Sequence, residues 1–180
     1  AVMEPIIRDP RLRKLTFTGS TEVGRRLVEQ SAEGLLRVSM ELGGNAPFLV
    51  FADADLDRAV EGAMLAKMRN IGEACTAANR FLVHESVAEE FGRRFAERMR
   101  ALRVGKGTVA GVDVGPLIDA AARDNVDALV REAVAGGARV LAGGAPAPGR
   151  GWFYQPTVLT DVPAGARIAD GGRALRHQVV

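Results

Sequence analysis

The chain has 180 residues, 47% hydrophobic and 26% charged, a balance that suits one globular domain or parts of two. Its 24 Lys and Arg are interspersed with 22 Asp and Glu for a net charge of +2, and no basic run is interleaved with aromatics, so nucleic acid is not an expected partner. The single cysteine excludes an intramolecular disulfide framework and a multi-cysteine metal site, and it fits a reducing cytoplasm; no apolar run approaches a membrane span.

The opening AVMEPIIRDPRLRK lacks the apolar core of a signal peptide and does not begin with Met. Lys14 to Thr18 (KLTFT) reads as a strand, punctuated by Gly19-Ser20-Thr21. A helix is expected over Thr21 to Ala32, with Val23, Leu27 and Val28 on one face and Gly34 closing it. Leu36, Val38 and Met40 then alternate with Arg37, Ser39 and Glu41, a strand period that leaves Glu41 at the strand's end. Gly43-Gly44 breaks it, and Pro47 to Phe51 (PFLVF) reads as a buried strand. Asp55 is the expected N-cap of a helix whose stripe is Leu56, Val60, Met64 and Met68, running to about Asn70.

Gly72 breaks that helix and leaves Cys75 at a turn, with a short helical stretch expected before the strand Arg80 to His84. Ser86 and Glu89 have the spacing of a capping box, ahead of a helix buried through Val87, Phe91, Phe95 and Met99. Beyond Gly115-Pro116, a helix is expected over Ala120 to Ala135, and the last strands over Arg139 to Ala142 and Phe153 to Leu159. No internal repeat is present, and low complexity is confined to GGAPAPGRG, Gly143 to Gly151. Strands alternating with helices predict an α/β fold, with parallel sheet layers and flanking helices.

Three stretches have the residue types for chemistry. GSTEVG, Gly19 to Gly24, joins a strand to a helix, where free N–H groups of a first turn bind phosphate. It lacks the second glycine of a dinucleotide fingerprint, so a plain glycine turn with Ser20 or Thr21 as cap accounts for it equally. ELGGN, Glu41 to Asn45, puts a carboxylate beside two flexible glycines; it is either a base for water or a solvated glutamate before a turn. Cys75 stands among Ala74, Thr76, Ala77 and Ala78. At the N-terminal side of a short helix its thiolate would be favoured; the other reading is an inert small apolar residue. Asp53, Asp55 and Asp57 echo a calcium loop, but Arg58 and Met64 stand where glycine and glutamate are needed. No GxSxG or HExxH occurs, and His84 and His177 have no ligand-like spacing, so no metal is expected.

Together these stretches resemble the aldehyde dehydrogenase superfamily. The residues that carry the likeness are FTGSTEVG (Phe17 to Gly24), ELGGNAPFLVF (Glu41 to Phe51), DADLDRAV (Asp53 to Val60) and RNIGEACTAANRFLV (Arg69 to Val83), continued by VGKG, GVDVGPLI and YQPTVLTDV. Within the superfamily the chain is most similar to NADP-dependent succinate-semialdehyde dehydrogenases. The resemblance implies an aldehyde-dehydrogenase-like partial fold: residues 1–40 as the end of an NAD(P)-binding domain, 41–168 as an incomplete catalytic domain, and 169–180 as a tail outside the family pattern. It implies Cys75 as nucleophile, Glu41 as base, and Gly19, Ser20, Thr21, Gly24 and Leu42 along NADP or NAD. It also implies Arg69 as the grip on a carboxylated aldehyde, where a solvent-facing arginine at a helix end is the alternative. Full-length members form homo-oligomers. Position 77 is alanine, where some of these enzymes carry a second, redox-switching cysteine. Two other functions compete: an inactive remnant that only folds or binds subunits, and a cysteine acyltransferase or hydrolase without nicotinamide.

Overall fold

Two stretches of the chain each close a fold of their own, one running to Gly44 and one from Asn45 onward. The computed structural model describes residues 3–169, so His177 and all but the first residue of the expected tail lie outside the described residues.

In the first unit, α1 (Glu4–Ile7) starts with Pro5 in its first turn, where the missing N–H costs nothing. Next come β1 (Lys14–Thr18), α2 (Thr21–Ser31) and β2 (Arg37–Glu41). β1 and β2 pair in parallel from Lys14↔Arg37 to Thr18↔Glu41, as a strand–helix–strand unit requires. Ser20 caps α2, its Oγ accepting the Val23 N–H at 3.3 Å. The buried apolar residues are Ile7 and Leu15. Val23 and Val28, expected on one face with Leu27, are exposed. Helix α2 buries Gly24 and Ser31 instead, and the Ser31 hydroxyl is satisfied by donating to Leu27 O at 2.7 Å. The closest approach is therefore made by the residue with no side chain.

The second unit holds β3 (Ala46–Val50), α3 (Leu56–Met68), a 3₁₀ turn (Arg69–Gly72), β4 (Ala78–Val83), α4 (Glu85–Arg100), α5 (Ala120–Ala135), β5 (Arg139–Ala142) and β6 (Val158–Thr160). β3 and β4 are parallel, with Phe48↔Phe81 and Val50↔Val83 in register, joined by the α3 crossover. β5 and β6 are antiparallel. This is an α/β fold with two parallel strand pairs, one antiparallel pair and flanking helices. Its core joins Val50, Val60, Ala63, Phe91, Phe95, Ala96, Met99 and Ala142, so the stripe expected on α4 is buried at Phe91, Phe95 and Met99. Phe95 packs 4.9 Å from Phe81 and 5.8 Å from Phe91 between ring centroids. A second cluster forms around Val126, Val130 and Tyr154.

Three local expectations are corrected. The Ser86–Glu89 capping box does not form, because α4 starts two residues earlier and His84 is its N-cap, Nδ1 accepting the Ser86 N–H at 3.3 Å. No helix follows Cys75; the chain turns and enters β4 at Ala78, ahead of the expected start at Arg80. The strand expected over Phe153 to Leu159 shortens to Val158–Thr160, since Pro156 has no N–H to give a ladder. Among the described residues, no helix is long and apolar enough to cross a membrane, and no group of His, Cys, Asp and Glu could hold a metal.

Candidate active site

Cys75 is a free, exposed thiol on the loop between α3 and β4. Helix α3 begins on Asp55, whose Oδ1 accepts from the N–H groups of Asp57 and Arg58 at 3.0 and 3.2 Å, and ends at Met68. Past Arg69 the backbone enters the left-handed region at Asn70 (φ 53°), Ile71 (φ 50°) and Gly72 (φ 80°). Glycine adopts this freely, but a β-branched residue such as Ile71 does so only under strain. The turn is closed twice: Glu73 N donates to Asn70 O at 3.0 Å, and Asn70 Nδ2 to Glu73 O at 3.1 Å. A second turn, Ala77 N to Ala74 O at 3.0 Å, has Cys75 at its centre. With no helix behind it, Cys75 has no helix N-terminus to favour its thiolate. Its own backbone N–H has no acceptor among the described residues and is free to donate to an oxyanion beside the sulfur.

Arg69 is exposed, and its guanidinium makes no ion pair or hydrogen bond among the described residues. It is chemically available to a carboxylate, and it equally meets the description of an arginine ending a helix. Glu41 closes β2 in the first unit with its side chain exposed, while its carbonyl accepts the Gly19 N–H at 3.0 Å. That bond ties ELGG to the GSTEVG turn. A Cβ on Gly19 would meet the Phe17 ring at 2.5 Å, and one on Gly24 would meet Leu42 Cδ2 at 2.5 Å. Leu42 thus covers Gly24, which is buried. The Ser20 hydroxyl is engaged as the cap, and Thr21 begins the helix whose first N–H groups point outward. The free N–H groups of this turn therefore lie at its Ser20–Thr21 end.

Lys67 and Asn79 carry no role in the sequence reading. Lys67 is 2% exposed and its Nζ donates to Asn79 Oδ1 at 2.6 Å. Burial pushes its pKa down to about 7. The available signal was position: Lys67 shares the buried face of α3 with Val60 and Ala63, where an apolar residue is the rule. A cavity of about 460 Å³ adjoins the pair, lined also by Phe81, Phe95, Leu129 and Thr157, and it does not include Cys75.

The family model described as "Aldehyde dehydrogenase family" matches residues 1–171. The chain is 64% identical over 164 residues to a succinate-semialdehyde dehydrogenase of Paenarthrobacter nicotinovorans, a match covering 91% of this chain and 36% of the relative. It is 48% identical over 169 residues to the NADP(+) succinate-semialdehyde dehydrogenase GabD of Escherichia coli K12, covering 94% of this chain and 35% of that protein. The crystal structure of succinate-semialdehyde dehydrogenase from Burkholderia pseudomallei superposes with a TM-score of 0.88 at 46% identity, over 93% of this chain and 35% of that one. The chain thus spans about a third of the length of the relatives it matches.

Proposed function

Because this chain belongs to the aldehyde dehydrogenase family, we propose that it is the nucleophile-bearing piece of an NAD(P)-dependent enzyme that oxidises succinic semialdehyde to its acid. The observation that carries the proposal is the unpaired, exposed Cys75, just past a strained turn in a chain 64% identical to a succinate-semialdehyde dehydrogenase. Residues 1–40 then belong to the cofactor domain and 41–168 to the catalytic one, and a reducing cytoplasm keeps the thiol free.

In the proposed reaction the Cys75 thiolate attacks the aldehyde carbon and forms a thiohemiacetal. The negative charge gathers on the former carbonyl oxygen, and the Cys75 N–H donates to it. Arg69 holds the substrate's far carboxylate, which orients the aldehyde toward the sulfur. A bound nicotinamide supplies the hydride acceptor, which leaves a thioester on Cys75. Ser20 and Thr21 with Gly19 would hold its phosphates, and Leu42, packed over Gly24, would offer it an apolar surface. Glu41 takes a proton from water, the hydroxide attacks the thioester, and the acid leaves with Cys75 restored. NADP is the favoured cofactor, as it is the one named for the Escherichia coli relative GabD.

The test is a Glu41→Gln variant incubated with succinic semialdehyde and NADP, followed by mass spectrometry of the Cys75 peptide. A succinyl thioester accumulating there supports the assignment of both residues. An unmodified Cys75 under conditions where wild type turns over refutes it.

A second reading is favoured by one observation: Leu49, Phe51, Leu65 and Leu82 of the second unit are 58%, 67%, 67% and 56% exposed. Apolar residues so open on strands and a helix face mark surface built to be covered. On this reading the chain folds but turns over substrate only with further protein packed on it. Turnover restored by co-expression with the remainder of a relative, and absent without it, would establish that reading.

A further inference from the structure

Lys67 is a buried amine that the proposed mechanism does not use. It leaves the last turn of α3, and its partner Asn79 stands at the start of β4, so the 2.6 Å bond between them closes the base of the Met68–Ala77 loop that carries Cys75. The loop also folds back onto Lys67: a Cβ on Gly72 would lie 3.1 Å from the Lys67 carbonyl oxygen and 3.7 Å from its Nζ. Directly before Gly72 stand two of the non-glycine residues in left-handed conformation, Asn70 and Ile71. Each such residue costs roughly 1–3 kcal/mol and persists only where its surroundings over-determine it. Lys67 meets the loop from both sides, with its backbone under Gly72 and its amine on Asn79.

We propose that Lys67, held by Asn79, is a positioning residue for Cys75: the pair fixes the base of the nucleophile's loop and keeps its strained turn in one conformation. The proposal rests on the reading of Cys75 as nucleophile. Lys67 touches no reacting atom and acts through the loop. An apolar residue of equal length would fill the same space but leave the half-buried Asn79 Oδ1 without its donor, a loss of at most about 1–3 kcal/mol felt at the loop's base.

The experiment uses the full chain and the variants Lys67→Met, Asn79→Leu and Asn79→Asp. Amide hydrogen exchange is read at Glu73 and Ala77, whose N–H groups close the two turns, and iodoacetamide labelling is read at Cys75, the only thiol. Both Lys67→Met and Asn79→Leu are expected to speed exchange at Glu73 and Ala77 by at least about tenfold relative to exchange in α4, which follows global stability. Labelling of Cys75 should change with them. Asn79→Asp keeps an acceptor for the amine and should restore the wild-type values of both. The Lys67→Met/Asn79→Leu double variant should be no looser than either single one, because the two act as one contact. If Lys67→Met does not fold, the two Asn79 variants carry the comparison. Unchanged exchange in the Asn79→Leu variant, or Asn79→Asp as loose as Asn79→Leu, overturns the proposal. Neither readout needs turnover, so an inactive chain would count against the dehydrogenase reading alone.

Discussion

Replacing Lys67 by methionine should raise stability at low pH and lose that advantage as pH rises. The amine sits 2% exposed beside a neutral amide, and its pKa falls from 10.5 to about 7 because burial penalises the charged form. Since each unit is about 1.4 kcal/mol, keeping the charged amine buried costs on the order of 5 kcal/mol below about pH 7. Between the folded value of about 7 and the unfolded value of 10.5, the unfolded chain binds the extra proton, so wild-type stability climbs with pH through that window. Methionine carries no proton, and its variant should show no such climb. Urea unfolding of both proteins at several pH values reads the difference directly. We expect Lys67→Met to be the more stable protein at about pH 6, by several kcal/mol less roughly 1–3 for the unpaired Asn79, with the gap closing toward pH 10. A wild-type stability that stays flat from about pH 7 to 10 would refute the reasoning, because it would mean that the amine is solvated. Joined to the looser loop expected of the same variant, the outcome is a protein more stable as a whole and less ordered beside its thiol, as expected where function retains a costly residue.

Other consequences follow from the same geometry. Arg69→Leu should raise KM for succinic semialdehyde by roughly 10- to 100-fold, the value of a charge-assisted hydrogen bond, and leave KM for an uncharged aldehyde of similar length unchanged; steady-state kinetics on the two substrates decide it. Phe95→Ala should cost about 3–5 kcal/mol in denaturant unfolding, since the ring packs against both Phe81 and Phe91 in the core. Gly143→Ala should destabilise by at least about 2 kcal/mol in the same assay, because Gly143 has φ 63° and an added Cβ would fall 2.3 Å from the Pro156 carbonyl oxygen.

Much of this fold follows from periodicity. β1 is legible over Lys14–Thr18 because five residues between turn formers admit one regular choice, and α3 and α4 are legible because their apolar residues recur at steps of four and are buried. Asp55 is legible as a cap because a carboxylate before a helix accepts two N–H groups there. His84 was not, because imidazole is a rare cap and Ser86 and Glu89 offered the commoner pattern two residues later. The alanines after Cys75 favour helix by propensity, yet the turn at 70–72 and the early start of β4 leave no residues for one. Val23 and Val28 have helical spacing, but spacing alone does not say what covers a face, and in this unit little does. Of the candidate site, Cys75, Arg69 and Glu41 are exposed, which suits a solvated residue as well as one that meets a ligand. The Lys67–Asn79 pair needed coordinates, since a charged side chain is ordinarily assigned to solvent and only the α3–β4 connection brings it to an amide.

The most direct test of the account is NADPH formation by the purified chain with succinic semialdehyde and NADP, beside a Cys75→Ala variant and a full-length relative. The account predicts an increase in NADPH that is abolished in the Cys75→Ala variant. NADPH formed equally by the variant would contradict it, and so would a chain that forms none and leaves Cys75 unacylated while the relative turns over.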